Sequence, residues 1–388
     1  MERPKECALP HLFPYDRIAD TPLDIIKPRG PFMKHFLHSV TILLVAFNSA
    51  AAQQTPAQTP AEVRASFLKL LDRPKVSADV QVSKTTPQAD GWVLEEFTFA
   101  SEKKADGTIE RVPAIMLRPE KTARKLPAVI VLHGTGGTMQ GSLAYMKELQ
   151  ARGLVGVAID ARYHGQRSGG AAGATAYNQA IAKAWKTKVG EPMERPFYFD
   201  TVWDLWRLID VLSARPDIDA DRLGMIGFSM GGIQTWLAAS VDQRVRVSVP
   251  AIAVQSFKWS LDNEQWQGRA KTISLAHETA AKDLGEPKVN ARVCKELWNK
   301  IIPGILDIYD CPNMLRLFAD RPLMILNGTK DPNCPIEGAR VAIAAARKAY
   351  ADAGATEKLE VLIAEVGHTV TNEQRAASLA WFERWLTK

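Results

Sequence analysis

The stretch "RLGMIGFSMGG", residues 222–232, places a single serine, Ser229, between glycines at the end of an apolar run. An apolar run that leads into G-x-S-x-G predicts a buried strand, a tight turn and a helix, with the serine hydroxyl raised at the turn. A short motif of this kind also occurs by chance. Its interpretation therefore depends on what else the chain brings to the same end of the predicted sheet.

Apolar runs of the same type recur along the chain and alternate with helical patterns. They are "LPAVIVLHG", "GLVGVAID", "RVRVSVPAIA", "RPLMILNG" and "KLEVLIAEV", preceded by a β-rich pair, "WVLEEFTFA" and "RVPAIMLRP". Continuous apolar runs are typical of strands that are buried on both faces of a parallel sheet. Strands that alternate with helices predict an α/β fold with a mostly parallel central sheet flanked by helices, and the first two strands read as an antiparallel lead-in pair.

One segment, residues 255 to about 305, interrupts this alternation between two predicted strands. It is too long for a simple connection, so we expect a helical cap over the carboxyl-terminal edge of the sheet. The segment contains Trp259, Trp266, Trp298 and His277. These aromatic side chains are interpreted first as packing residues of the cap, with substrate contact as the alternative.

The amino-terminal region has the order of a secretory signal peptide. "MKHFLHSVTILLVAFNSAAAQQ" begins at Met33 with a lysine, continues with about a dozen apolar residues and ends on small ones. We expect residues 33–52 to be the signal, residues 1–32 to be a mispredicted extension, and residues 53–90 to be a tether and amino-terminal segment, of which "QQTPAQTPAEV" (residues 53–63) is the flexible tether. The main domain is then residues 91–388.

Composition and charge exclude several functional classes. The net charge of +6 comes from 49 basic and 43 acidic residues that are spread along the chain, which gives no support for nucleic-acid binding. The histidines and cysteines show no metal-ligand spacing, so no metal is predicted. Export permits a disulfide, and Cys294 with Cys311 is the first pair to consider, which leaves Cys334 free.

Four polar or glycine-rich segments follow predicted strands directly. They are the turn His133–Gly137, the serine turn at Ser229, Asp331 in "GTKDPNCP", and His368 in "EVGHTV". Open α/β sheets bind ligands at the carboxyl ends of their strands. A serine, an acid and a histidine are therefore expected to meet there.

At this point the sequence resembles the α/β-hydrolase family, whose members have Ser, Asp and His in that order around a nucleophile elbow. The resemblance covers about residues 92–388. "RPDIDADRLGMIGFSMGG" is similar to the corresponding stretch of dienelactone-hydrolase-like and acetyl-xylan-esterase-like members. Dienelactone hydrolases use a cysteine nucleophile, and Ser229 in that place argues against their activity.

The residue types define a mechanism. Ser229 is the candidate nucleophile, His368 the base that takes its proton, and Asp331 the acid that orients the imidazole. The amide of Met230, with that of Thr135 or Gly136, is the candidate oxyanion hole. No cofactor is implied.

Five further residues have candidate supporting roles near this site. Asp160 and Arg162, in "DARYHGQRSG", are expected to brace loops, and His164 to reach the rim of the pocket. His133 is expected to order the oxyanion turn by hydrogen bonding. Glu365 is a substitute for the acid, disfavoured because it lies inside a predicted strand.

The leading hypothesis is an exported serine esterase, secreted or periplasmic, that acts on small-molecule or polysaccharide-linked carboxylic esters. A peptidase similar to prolyl oligopeptidases is an alternative, since these have similar elbows, although only about forty residues precede the lead-in strands. A noncatalytic binding protein on the same fold is the third. No nucleic-acid partner and no membrane anchor after signal cleavage are expected.

Overall fold

One mixed sheet forms the centre of the fold in the computed structural model, which describes residues 58–387. Its strands in that range are β1 (Gln81–Pro87), β2 (Trp92–Lys103), β3 (Ile109–Pro119), β4 (Leu126–Leu132), β5 (Val155–Ile159), β6 (Ile218–Phe228), β7 (Val245–Ala251), β8 (Leu323–Gly328) and β9 (Leu359–Ala364). Their order across the sheet is β1-β2-β3-β5-β4-β6-β7-β8-β9. Pairing is antiparallel from β1 through β3 to β5 and parallel from β5 through β4 to β9. The predicted mostly parallel sheet and its antiparallel lead-in pair are confirmed.

The central strands are apolar because both faces of the sheet are covered. Every residue of β4 and β5 is buried. Successive side chains of a strand point to opposite faces, so Val129 and Val131 belong to one core cluster and Ile130 to the other.

Helices cover each face of this sheet, and further helices form the segment between β7 and β8. They are α1 (Pro60–Leu71), α2 (Leu143–Gln150), α3 (Thr175–Lys186), α4 (Phe199–Ala214), α5 (Met230–Val241), α6 (Phe257–Asp262), α7 (Gln267–Lys271), α8 (Ser274–Asp283), α9 (Ala291–Ile301), α10 (Cys311–Leu315), α11 (Ile336–Asp352) and α12 (Asn372–Leu386). Helices α2 and α12 supply the core on the face of Val129, and α4 and α5 supply it on the other. The predicted α/β fold with flanking helices is therefore confirmed.

The prediction of a flexible tether over residues 53–63 is wrong for residues 60–63, which are helical, and residues 53–57 lie outside the described part of the chain. Helix α1 begins at Pro60, and the Thr59 and Glu62 side chains each accept a hydrogen bond from the other's backbone in a capping box. Phe67 of α1 packs edge-on against Phe199 and Tyr309, with ring centroids 5.5 and 4.9 Å away. The segment joins the main domain because its apolar side chains complete the core.

The segment between β7 and β8 is helical, as predicted for residues 255–305. It contains α6 to α9, followed by α10. Trp298 is fully buried, and its indole N–H donates to Nε2 of His277 at 3.0 Å. This contact agrees with the packing interpretation of the cap aromatics.

The predicted pairing of Cys294 with Cys311 is wrong in this structure. Cys294, Cys311 and Cys334 are all free and buried. Cys294 and Cys311 lie within the apolar core, where free cysteine behaves as a small hydrophobic side chain.

The predicted extension (residues 1–32) and signal segment (residues 33–52) lie outside the described residues. Among the helices of residues 58–387, none is long and apolar enough to cross a membrane.

Candidate active site

Ser229 occupies a strained turn between β6 and α5. Strand β6 ends at Phe228 and α5 begins at Met230, so a single residue reverses the chain. Its φ is 55°, in the left-handed region that costs energy for any residue except glycine. Residues held in such conformations concentrate at functional sites.

Glycines around Ser229 allow this turn because neighbouring backbone occupies the space of a side chain. A Cβ at Gly227 would overlap the carbonyl group of Gly231, and a Cβ at Gly231 would lie 2.6 Å from the carbonyl oxygen of Leu132. The turn therefore requires glycine for close approach of α5 to β6 and β4. This explains the glycines of the sequence motif.

Three side chains predicted from the sequence meet at the end of the sheet. His368 Nε2 lies 2.7 Å from Oγ of Ser229, and His368 Nδ1 lies 2.7 Å from Oδ2 of Asp331. A carboxylate only accepts, so Nδ1 has the proton and Nε2 is free to accept from the serine hydroxyl. The Asp331 side chain is fully buried, whereas that of His368 is 23% exposed. We call these three residues the serine cluster.

The loops that contain Asp331 and His368 continue the parallel pairing of β8 with β9. The amide of Thr329 donates to the carbonyl of Ala364 at 2.9 Å, and that of Lys330 to Val366 at 2.9 Å. Oδ1 of Asp331 accepts from the amides of Asn333 and Cys334 at 2.8 and 3.2 Å. These bonds fix both loops relative to each other and orient the carboxylate.

Glu365, the alternative acid, lies elsewhere. Strand β9 ends at Ala364, so the expectation that Glu365 is inside the strand is wrong by one residue. Its exposed carboxylate pairs with Lys330 at 2.9 Å. The structure brings Asp331, not Glu365, to His368.

The glycine-rich turn after β4 lies against the serine. The amide of Gly137 donates to the carbonyl of Gly134 at 3.0 Å, and a Cβ at Gly134 would lie 3.5 Å from Cβ of Ser229. Gly136 has a φ of 78°, as the third position of a type II turn requires. The amides of Thr135 and Gly136 donate to no protein acceptor within residues 58–387. Met230 is the first residue of α5, so its amide has no partner in the helix.

His133 orders this turn, as predicted. Its Nε2 accepts from the amide of Ala161 at 3.2 Å, and its Nδ1 lies 2.8 Å from the carbonyl oxygen of Gly134. Nδ1 is therefore the protonated nitrogen. Because Nε2 accepts a hydrogen bond, the ring is neutral, and it ties the turn to the end of β5. Burial lowers the pKa of His133 in the same sense.

Asp160 and Arg162 brace loops, also as predicted. Asp160 accepts from the amides of Met139 and Gln166, both at 2.8 Å. Arg162 is part of a buried network of ion pairs that we call the Arg162 cluster: Arg162, Arg167, Asp204, Glu102 and Glu110.

The prediction that His164 reaches the rim of the pocket is wrong. His164 is fully buried, and its Nδ1 lies 2.8 Å from the carbonyl oxygen of Arg162. Burial and the neighbouring His133 lower its pKa to about 4. The residue is therefore a neutral part of the interior.

Asp331, Cys334 and His368 offer three possible metal-ligand atoms within 4.8 Å of one another. Two of the side chains are already bonded to each other, however. Burial raises the pKa of the Cys334 thiol to about 12, whereas metals bind the thiolate. The group is therefore a poor metal site.

The sequence analysis did not predict that Arg269 and Cys334 contact each other beside Asp331. Nη2 of Arg269, on cap helix α7, donates to the carbonyl oxygen of Asn333 at 3.1 Å and to Sγ of Cys334 at 3.5 Å. A lone arginine in a helical pattern carries no local signal of this contact. The position of Cys334, three residues after Asp331, was the one local signal that it lies close to the serine cluster.

Comparisons with known proteins agree with this fold. The family model of acetyl xylan esterases matches residues 68–258, which include Ser229 but not Asp331 or His368. YtaP of Bacillus subtilis (strain 168), which bears the name "Putative hydrolase", is 24% identical over 292 residues. That match covers 71% of this chain and 84% of YtaP.

Two solved structures share the architecture. Acetyl xylan esterase 1 from Thermoanaerobacterium sp. JW/SL YS485 is 20% identical, with a TM-score of 0.58 over 84% of this chain and 93% of that chain. A glucuronoyl esterase from Solibacter usitatus is 16% identical, with a TM-score of 0.56 over 83% and 92%. At these identities the likeness shows the fold. The fold is that of α/β-hydrolases, and the match to the family model over residues 68–258 makes the chain similar to acetyl xylan esterases and supports a carboxylic ester hydrolase.

Proposed function

We propose that the protein is an exported serine hydrolase that cleaves esters of acetyl or other small acyl groups, or plant-derived esters, through an acyl-enzyme. The observation that carries this proposal is the row of two hydrogen bonds, each 2.7 Å long, from Asp331 through His368 to Ser229. The positive φ of Ser229 at the strand–helix turn supports it, because a strained turn presents the hydroxyl outward.

Acylation begins when His368 Nε2 takes the proton of the serine hydroxyl as Oγ attacks the ester carbonyl carbon. The buried Asp331 carboxylate stabilises the imidazolium that forms. The tetrahedral intermediate then collapses: the carbon–oxygen bond to the alcohol breaks, and the alcohol leaves with the proton from His368. The acyl group remains on Ser229.

Deacylation repeats these steps with water. His368 takes a proton from water, the hydroxide attacks the acyl-enzyme carbonyl, and Ser229 leaves with the proton returned by the imidazolium. The products are the carboxylic acid and the free serine.

The negative oxygen of both intermediates requires preorganised donors. The amide of Met230 at the start of α5 and one from Thr135 or Gly136 are proposed for this role. One such donor is worth about 3 kcal/mol of transition-state stabilisation.

Acetylated polysaccharide is the first substrate class to test. The acetyl xylan esterase family model and neighbours named as acetyl xylan and glucuronoyl esterases support an ester in a plant-polysaccharide setting. The peptidase alternative predicts cleavage of an aminoacyl nitroanilide instead, and a noncatalytic protein predicts no turnover.

The test measures hydrolysis of p-nitrophenyl esters of increasing chain length, acetylated xylan and an aminoacyl nitroanilide by wild type and Ser229→Ala. We expect short esters and acetylated xylan to be cleaved by wild type, with rates several orders of magnitude lower in Ser229→Ala. Ser248→Ala is the matched control, because the buried Ser248 hydroxyl has no hydrogen-bond partner among residues 58–387. Activity of folded Ser229→Ala within tenfold of wild type would refute the nucleophile.

Export is tested separately by amino-terminal sequencing of the protein secreted from an expressing bacterium. Small residues before Gln53 favour cleavage after Ala52, so Gln53 is expected as the first residue. Exported protein that retains residues 1–31 would contradict the proposed signal.

A further inference from the structure

Arg269 is a buried cationic side chain outside the serine cluster. It lies on cap helix α7 and is 2% exposed. Its Nε has no hydrogen-bond partner within residues 58–387, and its guanidinium lies 5.7 Å from the ring centroid of Phe257. Burial of a charge is costly unless partners compensate for it, so its position requires an explanation.

The hydrogen bonds of Arg269 both reach the loop that contains Asp331. Nη2 donates to the carbonyl oxygen of Asn333 at 3.1 Å and to Sγ of Cys334 at 3.5 Å. The amides of the same two residues donate to Oδ1 of Asp331. Asn333 and Cys334 thus connect the guanidinium to the carboxylate.

A second contact seats the cap on this loop. A Cβ at Gly268 would overlap the carbonyl oxygen of Pro332, so only glycine permits the observed approach of α7. Gly268 and Arg269 therefore fix the turn from Asp331 to Cys334 from the cap side.

The charged and polar groups around Arg269 also link it to Asp331. Burial lowers the pKa of Arg269, but the groups that face it outweigh this effect and leave the pKa above its ordinary value. These groups are Tyr198, Cys334, Asp331 and Tyr177. Among them Asp331 is the one carboxylate, and the guanidinium is charged.

We propose that Arg269 is a positioning residue for Asp331, which it acts on through the turn of Asn333 and Cys334 and through its positive charge. This proposal rests on the proposed function, in which Asp331 orients His368. The turn fixes the direction of the carboxylate, and the guanidinium charge attracts it from the cap side. The packing of cap helix α7 on the Asp331 loop is thereby linked to the alignment of the serine cluster.

The test compares Arg269→Met and Arg269→Lys with Arg321→Met as the matched control. Arg321 is also a buried arginine, but it donates to backbone carbonyls of Ala239, Ser240 and Val245. Each variant is assayed for kcat and KM on p-nitrophenyl acetate, with circular dichroism as the check of folding.

For Arg269→Met we expect kcat to fall on the order of 10²-fold, as small misplacements of reacting groups do, with KM within about threefold. Arg269→Lys retains the charge but loses the planar guanidinium, so its kcat should also fall, by less than in Arg269→Met. Arg321→Met should change stability only.

Double variants with Asp331→Asn separate this proposal from the proposed function. If Arg269 acts through Asp331, Arg269→Met should lower kcat little further in the Asp331→Asn background. Additive losses, a rise in KM alone, or values of kcat and KM equal to those of Arg321→Met would overturn the proposal. If Arg269→Met does not fold, unaltered kcat in Arg269→Lys would do the same. Failure of the proposed function shows differently, as unchanged activity in Ser229→Ala or Asp331→Asn.

Discussion

The serine cluster follows β6, β8 and β9 of the sheet and Arg162 follows β5, yet the hydrogen bonds of the two clusters end differently. In the Arg162 cluster each charge meets another: Arg162 Nε lies 2.8 Å from Asp204 and Arg167 Nη1 2.9 Å from the same carboxylate. Burial alone would raise the pKa of Asp204, but the two arginines hold it well below its usual range. The serine cluster instead ends at a half-buried hydroxyl on a strained residue. A high density of buried charges therefore does not identify the reactive site here. A row of hydrogen bonds that ends at a partly exposed hydroxyl is the better indicator.

The sharpest test of this comparison is the acid. Asp331→Asn should lower kcat by about 10⁴, because the amide favours the wrong tautomer of His368, with little change in stability. Glu365→Gln is the control and should cost less than threefold, since Glu365 is exposed and pairs with Lys330. Steady-state kinetics on one ester over the same pH range measures both. A large loss in Glu365→Gln with near-normal Asp331→Asn would reassign the acid.

Removal of Arg162 should act on stability rather than on chemistry. Arg162→Met leaves the buried Asp204 short of a partner, which is expected to cost about 3–5 kcal/mol of unfolding free energy. Urea unfolding measures the loss, and kcat at 15 °C should stay within threefold. The double variant Arg162→Met/Asp204→Leu should recover part of the stability, because it removes the orphaned charge. A 100-fold loss of kcat at unchanged stability would contradict a purely structural role of the Arg162 cluster.

His277 is a buried histidine of the cap whose two ring nitrogens are both hydrogen-bonded to packing partners rather than to the serine cluster. Nδ1 lies 3.1 Å from the carbonyl oxygen of Ile273, and Nε2 accepts from Trp298. Burial lowers its pKa to about 4. The unfolded chain then binds a proton between about pH 6.5 and 4 that the folded chain does not, so stability falls as pH falls through this window, by about 3 kcal/mol at most.

His277→Gln should lower stability at pH 7 but make it less dependent on pH. Urea midpoints at pH 7 and pH 5 provide the measurement. His164, whose pKa is also about 4, retains its share of the pH dependence in this variant. Equal pH dependence in wild type and His277→Gln would contradict a neutral, fully bonded His277.

The sequence predicted the sheet and the serine cluster because both depend on local patterns. Buried strands read as apolar runs, and polar residues directly after them reach the same edge. The missed α1 was also readable: Thr59, Pro60 and Glu62 form the pattern of a helix start. The end of β9 was placed two residues too late, at Val366, because this valine prolongs the apolar run past Ala364.

The cap contacts could not be predicted in the same way. Arg269 meets Asn333 across 64 positions of the chain, and nothing in a helical pattern specifies which distant loop it will contact. The free state of Cys294 and Cys311 likewise depends on how their helices pack.

The central claim, that Ser229 is the nucleophile of the serine cluster, is tested most directly by labelling with a fluorophosphonate and locating the adduct by mass spectrometry. The account predicts one phosphonyl group on Ser229 in wild type and in Ser248→Ala, much slower labelling in Asp331→Asn, and none in Ser229→Ala. An adduct on another serine, or undiminished labelling of Ser229→Ala, would contradict it.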